Sequence, residues 1–278
     1  MKERYQEIDE KNEALRDYLG IYKDKGRDFL ERFEMSWIYH DAALEGTVYT
    51  QQELVSALFP ERASMDPAMI PVVLEVRNHK AACDYLREDA VATGKKQAQI
   101  PLTTIKRIHD LLCGNTPEAL STRATLERRD RTEKELNKER ERSGFRKDMP
   151  LHRTYFHEIA QPAKIQPGLE KLVEYTGGSE FREFHPIKQA AVVQHKFMQV
   201  FPFTENSGKV GRMLTNLVLL RNGYMPAIIH SIDRQRYYES LRGVEGLFRS
   251  LLMDAIENSL DNGVKYFKDM ARRYKAIN

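Results

Sequence analysis

The sequence predicts an all-α, mostly helical protein with one small β feature. Three observations carry that expectation. Apolar stripes of helical period recur along most of the chain, strand-like composition is confined to one stretch, and helix-opening residues precede two of the stripes. A chain of 278 residues suits a substantial core, as one large domain or two small ones. Charged residues at 31% and apolar residues at 41% argue against wholesale disorder. Forty-four basic and forty-one acidic side chains leave a formal net charge of +3, so there is no global electrostatic case for binding nucleic acid or a membrane.

The opening stretch, MKERYQEIDEKNEALRDYLG, is charged throughout and has no apolar signal region. No run approaches the roughly twenty apolar residues of a spanning helix, and a cytoplasmic location is expected. Helices are expected over 27–44, 51–58, 70–86 and 103–112, the last with Thr103 as N-cap. Cys83 and Cys113 lie in apolar helical patterns without a second pair to complete a metal site, and read as buried free thiols rather than a disulfide. In 119–142, ALSTRATLERRDRTEKELNKERER, the charges alternate in sign, which fits a solvated helix or mobile loop. The stretch 149–159, MPLHRTYFHEI, is rich in β-formers and follows the turn-like Ser143-Gly144, so a short hairpin is expected there.

His185-Pro186 opens the next helix, where proline suits the first turn and Ile187, Ala190, Ala191, Gln194, Phe197, Met198 and Phe201 share a stripe. Val210, Met213, Leu214, Leu217 and Val218 form another, at the i, i+3, i+4, i+7, i+8 spacing of a buried face. Helices over 234–241 and 244–274 close the chain. No repeat or linker splits it; an N-terminal helical region, 1–99, and a core, 100–278, are expected to pack as one unit.

Between the two central helices lies FPFTENSGKVGR, 201–212. A turn that opens a buried helix offers unpaired N–H groups and the positive end of the helix dipole, which suit an anion. Asn206, Ser207 and Gly208 let backbone approach phosphate oxygens, Lys209 adds a point charge and Arg212 a two-pronged donor, and Ser207, Gly208, Lys209, Gly211 and Arg212 are the expected phosphate-binding set. Glu205 stands where a Mg²⁺ bridging phosphates would want an oxygen ligand. A polar inter-helix turn capped by Asn206 or Ser207 is the alternative.

The segment 185–224, HPIKQAAVVQHKFMQVFPFTENSGKVGRMLTNLVLLRNGY, closely resembles the core of the Fic family, the Fido fold, whose loop reads H-P-F-x-[D/E]-G-N-G-R-x-x-R. Pro202, Phe203, Glu205, Gly208 and Arg212 match in register. The stretch 143–162, SGFRKDMPLHRTYFHEIAQP, resembles the family's G-x-[YF]-R segment and the flap hairpin that aligns a target main chain, here Pro150, Leu151, His152 and Arg153. SIDRQRYYESL, 231–241, resembles its C-terminal helix. DAALEGT, 41–47, resembles its inhibitory helix, [S/T]-x-x-x-E-[G/N], with Glu45 and Gly46 matching and Asp41 in place of the hydroxyl residue. The resemblance implies a Fido fold, ATP and Mg²⁺ as cofactors, AMP transfer to Ser, Thr or Tyr hydroxyls of a target protein, a homodimer, and a Glu45 that grips Arg212 and so competes with the γ-phosphate.

Three departures bear on that activity. Phe201 stands where the family has its general base, a histidine; a benzyl ring accepts no proton, and such help is typically worth about 10²- to 10⁴-fold. Asn206-Ser207 replaces Gly-Asn, although the serine keeps a donor, and Lys209 replaces the first arginine. The leading expectation is a nucleotide-binding relative of protein adenylyltransferases in which AMP transfer is lost or strongly weakened. Transfer of AMP or another phosphate-bearing group without that base, by substrate-assisted deprotonation or with help from a flap residue such as His152 or His157, is one alternative, and a helical scaffold without nucleotide is another. His195, nearly two turns before Phe201, fits a structural place.

Overall fold

A computed structural model describes residues 2–62, 66–94, 99–127, 132, 144–150 and 158–277, the last four by backbone alone. Its longer helices are α1 (Lys2–Ile21), α2 (Lys23–Leu44), α3 (Gln51–Leu58), α4 (Ile70–Thr93), α5 (Leu102–Cys113), α6 (Pro117–Glu127), α7 (Ile165–Gly177), α8 (Ser179–Glu183), α9 (Pro186–Val200), α10 (Ser207–Arg221), α11 (Arg234–Arg242) and α12 (Glu245–Ile277). No strand occurs among the described residues, and no helix there is long and apolar enough to cross a membrane. The expected hairpin at 149–159 falls largely on 151–157, outside the described residues, and so do Leu151, His152, Arg153 and His157.

The centre is an α9–α10 hairpin. Helix α10 packs against α4 and α5 on one side, α2 reaches its first turns, and α9 meets α7 and α12. Fourteen of the fifteen α10 residues are buried, and they include Lys209, Arg212, Thr215, Asn216 and Arg221. A buried polar group costs stability unless bonded, and these are all bonded. Thr215 donates to Gln194 Oε1, Asn216 exchanges two hydrogen bonds with the Ala227 backbone, and Arg221 pairs with Asp89 at 2.7 Å. Across the molecule α12 lies along α1, closing a cluster in which Leu15, Phe29 and Phe267 are buried.

Several boundaries differ from the expectation. Helix α5 has Pro101 at its N-cap, with its carbonyl accepting from the Thr104 and Ile105 amides, so Thr103 lies inside the first turn and caps nothing. Proline fits there because a helix start leaves its N–H groups unpaired in any case. Cys83 is buried, but Cys113 is only partly so, because its helix ends at that residue; both are free thiols. Helix α4 runs to Thr93 rather than stopping at Leu86, and α2 begins at Lys23. The α9 stripe reaches Phe201, yet the helix ends at Val200 and Phe201 turns left-handed.

Candidate functional site

The loop from Phe201 to Asn206 is held by backbone geometry at both ends. Phe201 caps α9 with φ 47°, and Asn206 caps α10 with φ 63°. The left-handed region is costly for a bulky side chain and persists only where surroundings impose it. Here they do. The Phe201 amide donates to Phe197 O at 2.9 Å, and its carbonyl accepts from Arg146 Nε at 2.7 Å. Buried Arg146 also donates to the carbonyls of Val200, Ala160 and Asp148, while its own amide donates to Pro202 O at 2.8 Å. One guanidinium thus ties the loop to the segment before the flap.

The other side of the loop rests on α5. Phe203 is fully buried and stacks on His109, with ring centroids 3.7 Å apart and planes within 7°. His109 Nε2 lies 3.2 Å from the Glu205 carbonyl, to which it donates. Burial pushes this imidazole down to about 4, against the Glu205 hydrogen bond, so the ring is neutral near pH 7. Ser207 closes the turn on itself: its hydroxyl accepts from the Phe203 amide at 2.8 Å and donates to the Phe203 carbonyl at 2.9 Å. In this arrangement its donor points into the loop rather than toward an anion.

Both loop cations are engaged with carboxylates from the first hundred residues. Lys209 Nζ pairs with Glu75 Oε1 at 3.0 Å. Burial opposes the Glu75 charge, but Lys209 and Tyr49 hold its carboxyl below the usual range. Arg212 is gripped more fully. Its Nε donates to Asp41 Oδ1, Nη2 reaches the Asp41 carbonyl at 3.1 Å and Glu45 Oε1 at 2.8 Å, and Nη1 donates to Tyr237 OH at 3.1 Å. Asp41 Oδ2 in turn lies 3.0 Å from His79 Nε2. Burial works against the Asp41 charge, but Arg212 and His79 outweigh it and hold the carboxyl down at about 2.

Helix α2 delivers these carboxylates because its end is pinned. Leu44 O accepts from Arg234 Nε at 2.8 Å and Tyr238 OH at 2.9 Å, and Gly46, at φ 97°, turns the chain out of the helix. The paired glycine is Gly208. A Cβ there would run into the Glu45 carboxylate and crowd Arg212 Nη1, so Gly208 is what lets Glu45 lie over the start of α10. Gly211 serves packing instead, since a Cβ would press on Met198 Sδ at 3.1 Å and Phe197 at 3.3 Å.

Two cavities lie near the end of α9 and the start of α10. One, of about 850 Å³ as bounded by the described residues, lies between Pro150, Glu158, Lys164, Gln199 and Arg242. The other, about 350 Å³, lies between Glu75, Asn78, Cys113, Glu205 and Asn206. Burial pushes the Cys113 thiol up to about 11, so it is no thiolate at neutral pH. Glu205 is exposed at the loop tip. His195 donates Nε2 to Gly243 O at 3.0 Å and ties α9 to the end of α11.

The structure therefore brings Glu45, Gly208 and Arg212 together and sets Ser207 and Lys209 to other partners. The sequence singled out neither His109 nor Glu75, and it carried Arg146 and Tyr237 only inside the quoted stretches 143–162 and 231–241. Glu75 had a signal, a lone carboxylate inside IPVVLEV, 70–76.

Comparison with known proteins agrees with the fold. Residues 99–219 match the Fic/DOC family. "Protein adenylyltransferase Fic" of Aedes aegypti is 25% identical over 264 residues, which cover 94% of this chain and 47% of that protein. The chain thus spans about half the length of such curated relatives. Among solved structures, a Fic domain containing signaling protein from Bacteroides thetaiotaomicron superposes with a TM-score of 0.70 at 17% identity, covering 94% of this chain and 98% of the other. Fic-1 from Caenorhabditis elegans superposes with a TM-score of 0.72 at 19% identity, over 97% and 73% of the two chains. The fold is the one these proteins share, and residues 99–219 carry the Fic/DOC match.

Proposed function

We propose that this chain binds a nucleoside triphosphate, ATP with Mg²⁺, at the start of α10, and transfers AMP to protein hydroxyls slowly or not at all. The observation that carries the second half is Phe201. In the reaction class of its relatives a hydroxyl oxygen bonds to the α-phosphorus, the bond to the β-phosphate oxygen breaks, pyrophosphate leaves, and the hydroxyl proton needs an acceptor. The side chain at the position of that acceptor is a hydrocarbon ring, 8% exposed and packed among core residues. The first half is supported by helix geometry: α10 supplies no acceptors for the N–H groups of Ser207, Gly208 and Lys209, which suits an anion. Glu205, exposed beside them, fits an oxygen-liking cation held jointly with phosphates, and among the described residues no cluster of three protein ligands would hold one unaided. The Glu45–Arg212 contact supports a resting state in which Arg212 is withheld from phosphate.

The test is labelling of protein by ATP radiolabelled at the α-phosphate, in a background where Asp41→Ser and Glu45→Gly have removed both carboxylates from Arg212. Adding Phe201→His there should raise labelling about 10²-fold or more, the usual scale of a general base. Equal labelling with phenylalanine and histidine at 201 would end the proposal. Histidine suits the site's backbone, since it is among the residues that tolerate positive φ.

A further inference from the structure

We infer that Asp41 is a second, inner clamp on Arg212, and that the arginine becomes available to an incoming phosphate only when Asp41 as well as Glu45 lets go. The inference rests on the nucleotide reading above for its ligand, and on the contacts of one guanidinium for everything else.

An arginine has five N–H donors in a fixed fork. Glu45 takes one of those on Arg212, through Nη2 at 2.8 Å. Asp41 takes the Nε donor with its carboxylate and shares Nη2 with its carbonyl at 3.1 Å, while Tyr237 takes Nη1 at 3.1 Å. Removing the Glu45 carboxylate leaves the other three contacts intact. The two acids also differ in setting. The Glu45 side chain is 33% exposed and sits just past the last residue of α2, next to Gly46, where it can turn away. Asp41 is one helical turn earlier, its side chain is 3% exposed, and His79 Nε2 lies 3.0 Å behind Oδ2.

Charge strengthens the case. With Glu45 in place, two carboxylates face one guanidinium, and these three side chains sum to a net negative charge. With Glu45 gone, Asp41 still neutralises Arg212, so a triphosphate at the α10 N-terminus would meet an ion pair rather than a free cation. A hydroxyl side chain at 41 would accept a hydrogen bond from Arg212 yet leave its charge free. The aspartate is thus what converts a single latch into two.

The test reads Arg212 directly. In protein labelled with ¹⁵N-arginine, exchange of the Arg212 Nε–H with solvent reports whether the inner clamp holds. Glu45→Gly should leave its protection within about twofold of wild type, whereas Asp41→Ser should speed exchange by about tenfold or more, on the scale of losing a charge-assisted hydrogen bond. Asp41→Asn, which keeps shape, provides the same comparison if the serine variant does not fold, with a smaller acceleration expected. Loss of protection in Glu45→Gly, or full protection in both Asp41 variants, overturns the inference. Titration with Mg-ATP is the second arm: Asp41→Ser with Glu45→Gly should bind about tenfold more tightly or better than Glu45→Gly alone. Equal binding by the two variants counts against the inner clamp. If exchange behaves as expected and neither variant binds, the clamp stands and the nucleotide reading falls.

Discussion

Lys209 and Arg212 stand one helical turn apart on α10, both buried, and both meet carboxylates from the N-terminal helices, yet the two contacts differ in kind. Lys209 has a single partner oxygen at 3.0 Å on Glu75, whose side chain is 42% exposed. Arg212 makes contacts through all three nitrogens, and its main partner is almost fully enclosed. An ammonium is a point charge on a flexible stem, whereas a guanidinium is a planar fork that two acids, a carbonyl and a phenol can grip together. The lesson is that charge at a helix start does not by itself make an anion site; what matters is whether the protein already answers that charge.

Removing Arg212 carries the largest expected effect. Arg212→Ala leaves the Asp41 carboxylate buried without its main partner, which costs about 3–5 kcal/mol for interior pairs. Denaturant unfolding should show a loss of that size, and a loss under 1 kcal/mol would mean that Asp41 escapes to solvent. Acid sharpens the same contrast. With its carboxyl at about 2 against an ordinary 3.8, ionised Asp41 contributes stability that is fully present above pH 3.8 and lost as pH falls toward 2. That contribution is about 2 kcal/mol, and the stability difference between wild type and Asp41→Asn should shrink through this window. No shrinkage would place the carboxyl at its ordinary value.

Lys209→Met tests the weaker pair. Its half-exposed partner can rehydrate, so a change within about 1 kcal/mol of wild type in either direction is expected in a thermal melt. Smallest is Glu45→Ala, at a few tenths of a kcal/mol, because the acid is one-third exposed and Asp41 retains the arginine. A cost above 2 kcal/mol there would reverse the order of the two clamps.

Much of this was visible in the residues. The 3.6-residue spacing of Val210, Met213, Leu214 and Leu217 marked α10, and the resemblance placed Glu45 with Arg212. Stripes were weaker guides at element ends, where local backbone bonds decide: Thr103 had the side chain of a cap, but Pro101 took the position. The loop was harder still. Ser207 has a donor that suits phosphate, and only the turn geometry directs it to Phe203. The Lys209–Glu75 pair spans 134 residues, a distance at which no local pattern links two charges.

By itself the sequence determined the helical class, the Fic-like motifs of the central loop, and the ring at 201, because period, motif and functional-group chemistry are properties of residue types in order. Which carboxylate holds which cation, which glycine clears space for Glu45, and how Arg146 and His109 brace the loop were decided by tertiary structure. Those contacts depend on distances of a few ångströms between segments far apart in the chain, and they exist only once α2, α4, α5 and α10 have packed.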